Sequence, residues 1–172
     1  MGLISRSRHN ASCAVMKVEV YDACAALTDA EYREDRGAFF GSIHRTLNHI
    51  LVADRIWMRR LTGDGTASTD LGAVLFEDFS DLRTARDAED VRITNYLGSL
   101  TDNALSTTVT YTPVTVPTEV TEPVAPVLAH LFNHQTHHRG QVHAILTSLG
   151  KPSVVLDMIA FLRGHGKQWM QV

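Results

Sequence analysis

Cysteine is scarce: the 172 residues hold only Cys13 and Cys24. They form no CxxC pair and no disulfide framework. On one helix, eleven residues of separation is about three turns, or roughly 16 Å. That is beyond the reach of a bridge. Both are expected to be small, reduced core residues, as in a cytosolic protein. Long apolar runs are missing too. No window approaches the ~18 uninterrupted apolar residues that a membrane span needs. The opening MGLISRSRHN is basic but lacks the apolar stretch of a secretory signal, and Arg6 stands where a myristoylation motif wants Ser or Thr. A concentrated positive charge is also absent. Sixteen Lys and Arg are dispersed in a chain of net charge −3, so no phosphate-tracking stripe forms and no nucleic-acid partner is expected. Internal repeats and low-complexity segments are lacking. The expectation is a cytoplasmic protein with neither nucleic acid nor membrane as partner.

What remains is ordinary globular composition, 44% apolar and 20% charged. A chain of this size buries roughly 70% of its unfolded surface, so residues 1–172 read as a single domain that folds without staples. Residues 7–27 carry helical spacing (Ala14, Val18, Tyr21, Ala25), and Thr28 and Asp29 cap a short turn through Tyr32. In FGSIHRTLNHILVADRIWMRRL, Ser42 is the N-cap of a second helix with Ile43, Leu47, Ile50, Asp54, Trp57 and Leu61 on one face. GDGTAST stops it. Residues 80–100 give a third helix whose mixed charges read as a solvated face. The Thr-, Val- and Pro-rich stretch around 107–120 suits a small β-ribbon or an extended loop. A fourth helix runs from about Pro126 to Leu149 with Gly150 as its stop. Ser153 caps a short fifth through Arg163. The expected class is all-α, an up-and-down four-helix bundle with a short fifth helix.

The segment NHQTHHRGQVH packs four histidines into residues 133–143. The inward stripe of the fourth helix runs Leu131, His134, His138, Val142, Ile145, Leu149, with gaps of three and four. His134 and His138 therefore face the interior one turn apart, with Cα atoms about 6 Å apart. Leaving buried polar groups uncompensated costs on the order of a few kcal/mol. Two imidazoles so placed suit one ion with bonds of about 2.0–2.1 Å. Hydrogen-bonded core histidines are the alternative reading. His49, mid-helix in TLNHILVAD, is the best third ligand; His44, near the helix start, ranks lower. His137 belongs at the edge of the site, and His130 near it or in a capping turn. His143, His165 and His9 carry no pattern and read as surface.

Arg139 and Gln141 flank the pair. Asp54, on the inward face of the second helix, needs a partner, and Arg139 is the expected one. An anion-binding Arg139 is the alternative. Trp57 reads as core. Mid-helix Gly140 costs about 1 kcal/mol against Ala, which close approach of a neighbouring helix would explain. Asp157 pairs with Arg163 or caps locally.

NHQTHHRGQ, with TLNHILVADRIW about 85 residues earlier, resembles the DinB family (the DinB/YfiT-like helical bundles). The likeness extends from Tyr21 to Arg163, through YREDRGAFFGSIHRTLNH and LDMIAFLR. It implies a four-helix bundle binding a divalent ion, often nickel or zinc, through His49, His134 and His138. It also implies a homodimer. Relatives include thiol-dependent transferases using bacillithiol or mycothiol and a maleylpyruvate isomerase. The family name refers to a DNA-damage response of one member, which concerns expression and not DNA binding. One departure stands out. Members of this kind begin with a stretch like YNxWxN, whereas RHNASCAVMKVEVYDA has neither the Trp nor the second Asn.

Three imidazoles leave a cation with an open position, the layout of a catalytic site. The expected function is thiol-dependent S-transfer onto a small electrophilic substrate, with the thiol brought in from solution because neither cysteine looks nucleophilic. Metal-dependent hydrolysis is the alternative chemistry. A non-catalytic metal-binding or stress-response protein is the alternative class.

Overall fold

The computed structural model describes residues 18–169. His9, Cys13 and the first half of the helix expected over 7–27 lie outside the described residues. The elements are α1 (residues 18–25), α2 (Asp29–Arg33), α3 (Ile43–Thr62), α4 (Phe79–Ser99), α5 (Asp102–Leu105), β1 (Thr108–Tyr111), β2 (Val120–Pro123), α6 (Val124–Ser148) and α7 (Met158–Arg163), followed by a 3₁₀ turn at Lys167–Trp169. This is a helical bundle with one small antiparallel ribbon, pairing Thr108 with Pro123 and Tyr111 with Val120.

Local chemistry sets the boundaries. Thr28 and Glu31 form a reciprocal capping box at the start of α2. The Ser42 hydroxyl accepts from the Arg45 N–H, and Gly63, at φ 73°, closes α3 through its N–H to the Arg59 carbonyl. Asp78 caps α4 by accepting from Ser80 and Asp81. At the end of α6, Gly150 takes φ 70°, and the Lys151 and Gly150 N–H groups donate to the carbonyls of Leu146 and Thr147. That is a Schellman closure.

Two apolar clusters fill the bundle. One joins Val20, Tyr21 and Cys24 of α1 to Ile43, Leu47 and Leu51 of α3, Leu82 of α4, and Val142 and Leu146 of α6. The other joins Met58 of α3, Ile93 and Leu97 of α4, and Val124, Leu128 and Phe132 of α6. The first turns of α3 and α4 thus lie at the same end. The connection 63–78 runs back along α3, so the helix directions depart from simple alternation at this step. The Asn48 side chain holds its return, accepting from the Leu75 and Phe76 N–H groups at 2.8 and 3.0 Å.

Between the clusters lies a polar layer, where the structure corrects the sequence reading. Asp54 is fully buried, but its partner is not Arg139. Its carboxylate accepts from Arg86 Nη1 at 2.5 Å and from Gln135 Nε2 at 2.8 Å. Arg139 instead donates to the Thr136 hydroxyl at 3.1 Å. Arg86 and Glu89 come from the helix expected to present only a solvated charged face, yet both are buried. Glu89 sits beside Arg55 and Arg92, and Arg86 also reaches Asp90. Packing chose the partner: α4 lies alongside α3 with Arg86 turned to Asp54.

Three smaller expectations also change. Residues 153–157 are not helical, and Asp157, not Ser153, precedes α7. The Ser153 hydroxyl lies 2.9 Å from His143 Nε2, a tertiary contact that takes it from the capping role. Trp57 is not core; it is half-buried against Tyr111 and His130. A Cβ at Gly140 would meet nothing within 4 Å, so no neighbouring helix accounts for this glycine and nothing in the structure explains it.

Gly140→Ala is therefore expected to raise stability by about 1 kcal/mol, read as a Tm increase of about 2–4 °C. A lower Tm would mean that the residue has a packing role. Arg86→Met strands a buried carboxylate and is expected to cost about 3–5 kcal/mol, while the Asp54→Leu/Arg86→Met double variant recovers most of that loss. Chemical denaturation of the three proteins measures both values.

Candidate metal centre

α3 and α6 pack against each other across the bundle, and this brings three of the predicted residues together. One ring nitrogen from each of His49, His134 and His138 lies within 4.8 Å of the others, a grouping that could hold a metal ion. The ring centroids are 5.0 Å apart for His49–His134, 4.6 Å for His49–His138 and 4.4 Å for His134–His138. His49 and His138 are buried and His134 is half-buried.

Hydrogen bonds decide which nitrogen each ring offers. His49 Nδ1 lies 2.8 Å from the Leu71 carbonyl, so it carries the proton and leaves the Nε2 lone pair for the site. His138 Nδ1 lies 2.7 Å from Gln141 Oε1 and is fixed in the same way. Gln141 is itself oriented by its amide nitrogen, 3.2 Å from His137 Nε2. Such outer partners set the tautomer of metal-binding imidazoles. His134 Nε2 stands 3.1 Å from His49 Nε2. Two nitrogens each about 2.0–2.1 Å from one ion at roughly 90–110° stand about 2.9–3.4 Å apart. The observed separation suits a shared cation. His134 Nδ1, buried, has no hydrogen-bond partner among the described residues.

The electrostatics favour the neutral, ligating form. Burial, reinforced by the neighbouring imidazoles, pushes His134 down to about 3. Burial pushes His138 down to about 4, against the Gln141 hydrogen bond, which raises it. Burial also lowers His49. All three rings are uncharged near pH 7, the state in which imidazole binds metal.

The surroundings are unequal. Phe40 stacks on His49 at 3.9 Å and 24° and also touches His138, closing one flank. The other flank opens to a cavity of about 280 Å³, whose walls include His49, His134, Ala53, Trp57, Arg60 and Tyr111. His130 is exposed, stands 5.2 Å from Trp57 and 5.9 Å from His134, and lines that cavity. His137 is exposed at the rim, its ring 4.8 Å from that of His138. Asp54 and Arg139 are buried in the bundle and appear neither among the three grouped residues nor in the cavity wall. His44 lies apart, its Nε2 3.1 Å from the Phe76 carbonyl, where it secures the return connection.

Phe40, Leu71 and Arg60 were not among the residues singled out from the sequence. A main-chain carbonyl leaves no residue-type signal, so Leu71 could not have been found. Phe40, within YREDRGAFFG, lay in a loop with no periodicity to place it.

The fold and this cluster define a class: a helical bundle that presents a three-histidine cradle for a cation. The DinB family model matches residues 13–170, and the chain belongs to the DinB family. Among solved structures it resembles a DinB-like protein from Bacillus cereus ATCC 10987, with a TM-score of 0.61 and 20% identity over 81% of this chain and 91% of that one. At that identity the likeness speaks for the fold alone. No curated protein matches the chain.

The geometry predicts one divalent ion per chain by elemental analysis of untagged protein, with less than a full equivalent kept by His49→Ala, His134→Ala or His138→Ala. A variant that keeps the whole equivalent removes that residue from the ligand set. Gln141→Ala is expected to weaken metal affinity about 10–100-fold, the range for loss of an orienting partner. Competition against a chelator measures it.

Proposed function

We propose that this DinB family member is a metal-dependent enzyme that joins a small thiol, through its sulfur, to an electrophilic small molecule. The observation that carries this reading is a cradle of three neutral imidazoles with one flank open to a cavity. A closed set of four protein ligands is the mark of a structural zinc site, whereas three with an open position is the catalytic layout. Among the described residues, His137 is the neighbour best placed to close the set. It is exposed and engaged with Gln141 instead.

Zinc and nickel both accept imidazole ligands, and the proposal names these two. His49, His134 and His138 would hold the ion, with the Leu71 carbonyl and Gln141 keeping two of the rings in the ligating tautomer. A divalent ion so held supplies acidification of a bound thiol or water. Phe40 shields one side of the imidazoles from water, and Ala53, Ile56 and Trp57 give the substrate an apolar wall. In the reaction, the thiolate sulfur forms a bond to the electrophilic carbon, and the leaving group departs with its electron pair. Cys24 is not the source of that sulfur: it is buried in the apolar cluster, and burial pushes its thiol up to about 12. In this reading the thiol comes from solution. The partners in this reading are that thiol, the electrophile and a second copy of the chain.

The test is a matrix of low-molecular-weight thiols and electrophiles with metal-loaded protein. Thiol-dependent turnover is expected, falling by about 100-fold or more in His134→Ala, beyond the outer-partner range. Equal rates in the two proteins would take the metal out of the mechanism. Turnover without thiol would make the reaction a hydrolysis, and full metal occupancy with no turnover would favour a binding role.

A further inference from the structure

The cavity beside the histidines has a second polar end that the metal reading does not use. Arg60 lies on α3 beyond Trp57, and its guanidinium rests against two aromatic rings that also touch each other. Its Cζ is 4.5 Å from the Trp57 ring centroid and 4.1 Å from that of Tyr111. Among the described residues its hydrogen bond is to the Thr112 carbonyl at 3.3 Å, and it forms no ion pair with a carboxylate. Arginine usually satisfies a planar fork of five donors, preferably on a carboxylate or phosphate. Here most of that fork is unused by protein.

The nearest acid is held away. Glu122 accepts from the Tyr111 hydroxyl at 2.6 Å and lines a separate groove with Tyr111, Trp57 and His130. Arg60 lines the cavity that contains His49 and His134; Glu122 does not. The Trp57–Tyr111 pair, 5.2 Å between centroids, lines both grooves. Burial lowers the Arg60 pKa below the usual arginine value, and the nearby phenol and Glu122 offset this only in part. A cation is thus partly desolvated against two rings at the cavity wall, and among the described residues no carboxylate forms an ion pair with it.

From these contacts we propose that Arg60 is the specificity-determining residue of the cavity. It binds a carboxylate at one end of an elongated ligand whose other end reaches His49 and His134. The inference rests on the function proposed above for the choice of reacting end, but the anion site stands on Arg60 itself. The distance between the ends follows from α3. The Arg60 guanidinium rests on the Trp57 ring, and Trp57 is eight residues after His49, which is about 12 Å along a helix. The wall between is apolar, with Ala53, Ile56 and Leu71. A ligand with a flexible apolar middle of about eight carbons would span it, whereas a two-carbon ligand could not touch both ends.

Calorimetric titration with 8-mercaptooctanoate, 8-mercaptooctanol, octanoate, octanol and mercaptoacetate tests this, on metal-free and zinc-loaded protein. Wild type is expected to bind each eight-carbon acid at least about 10-fold more tightly than its matched alcohol, in both metal states, with the preference shrinking at high salt. Arg60→Met is expected to lose the preference, and Arg60→Lys to keep part of it because a point charge replaces a fork. Equal binding of acid and alcohol by wild type overturns the proposal, without recourse to any variant. An unchanged preference in folded Arg60→Met also overturns it. The metal reading has its own control: zinc should tighten 8-mercaptooctanoate but not octanoate. If zinc tightens neither, the thiol chemistry fails while the acid-over-alcohol preference still decides Arg60.

Discussion

The register of α6 against α3 depends on one buried carboxylate. Asp54 sits in the polar layer between two apolar clusters and accepts from Arg86 on α4 and Gln135 on α6. Apolar surfaces alone are permissive, since leucines and isoleucines tolerate small rotations and slides of one helix on another. A charged group without water is not permissive. Any slip that parts Asp54 from its donors strands it at a cost of several kcal/mol. Gln135 is adjacent in sequence to His134, so the contact that satisfies Asp54 also fixes the height and rotation at which His134 meets His49. The net stability contributed by such a pair is small, because desolvation consumes most of its Coulombic gain. Its effect is on which arrangement of the three helices is tolerated.

Within that frame the histidines present a second electrostatic problem. Three imidazoles crowd around one point in a partly dry interior. Protonating any of them is opposed by burial and, for His134 and His138, by neighbouring imidazoles, and this pushes both well below the ordinary histidine value. Neutral rings that present lone pairs to a common centre repel one another mildly and attract a cation strongly. The Leu71 carbonyl and Gln141 enforce this by occupying the opposite nitrogens of His49 and His138. Loop 63–78 is therefore more than a connection. Its return path, anchored by Asn48, delivers the carbonyl that selects the His49 tautomer.

Much of this was legible in the sequence, and the gaps have physical causes. The stripe through Leu131, His134, His138 and Val142 could be read because helical period alone decides which residues share a face. The cap at Ser42 and the stop at Gly150 could be read because they are local. The partner of Asp54 could not, because it depends on how two helices distant in sequence lie together. Arg86 was hidden for a further reason. α4 buries Arg86 and Glu89 along with Leu82 and Ile93, so its inward face carries charge and its pattern imitates a helix with water all around. Ser153 has the residue type of a cap but is held by His143, and tertiary contact overrode the local preference. Trp57 shares the stripe of α3 but lies where the bundle opens, so helical period gives its face and not its depth.

That opening gives the site its direction. On one side of the imidazoles Phe40 is stacked on His49 and covers its face. On the other, the ribbon leans on α3 and α6, and Tyr111 meets Trp57 edge to face. The ribbon is short and mostly exposed, so its pairing contributes little to the core. It supplies a wall. Together with α3 it lengthens the cavity away from the histidines and ends it at Arg60, while Glu122 is turned into the neighbouring groove by the Tyr111 hydroxyl. A molecule lying in this cavity has a guanidinium and imidazoles in its walls, with apolar surface among them. The separation matters for chemistry: an anionic end held at one place reduces the freedom of the reactive end, and orientation of that kind is among the larger contributions a binding site can make to rate.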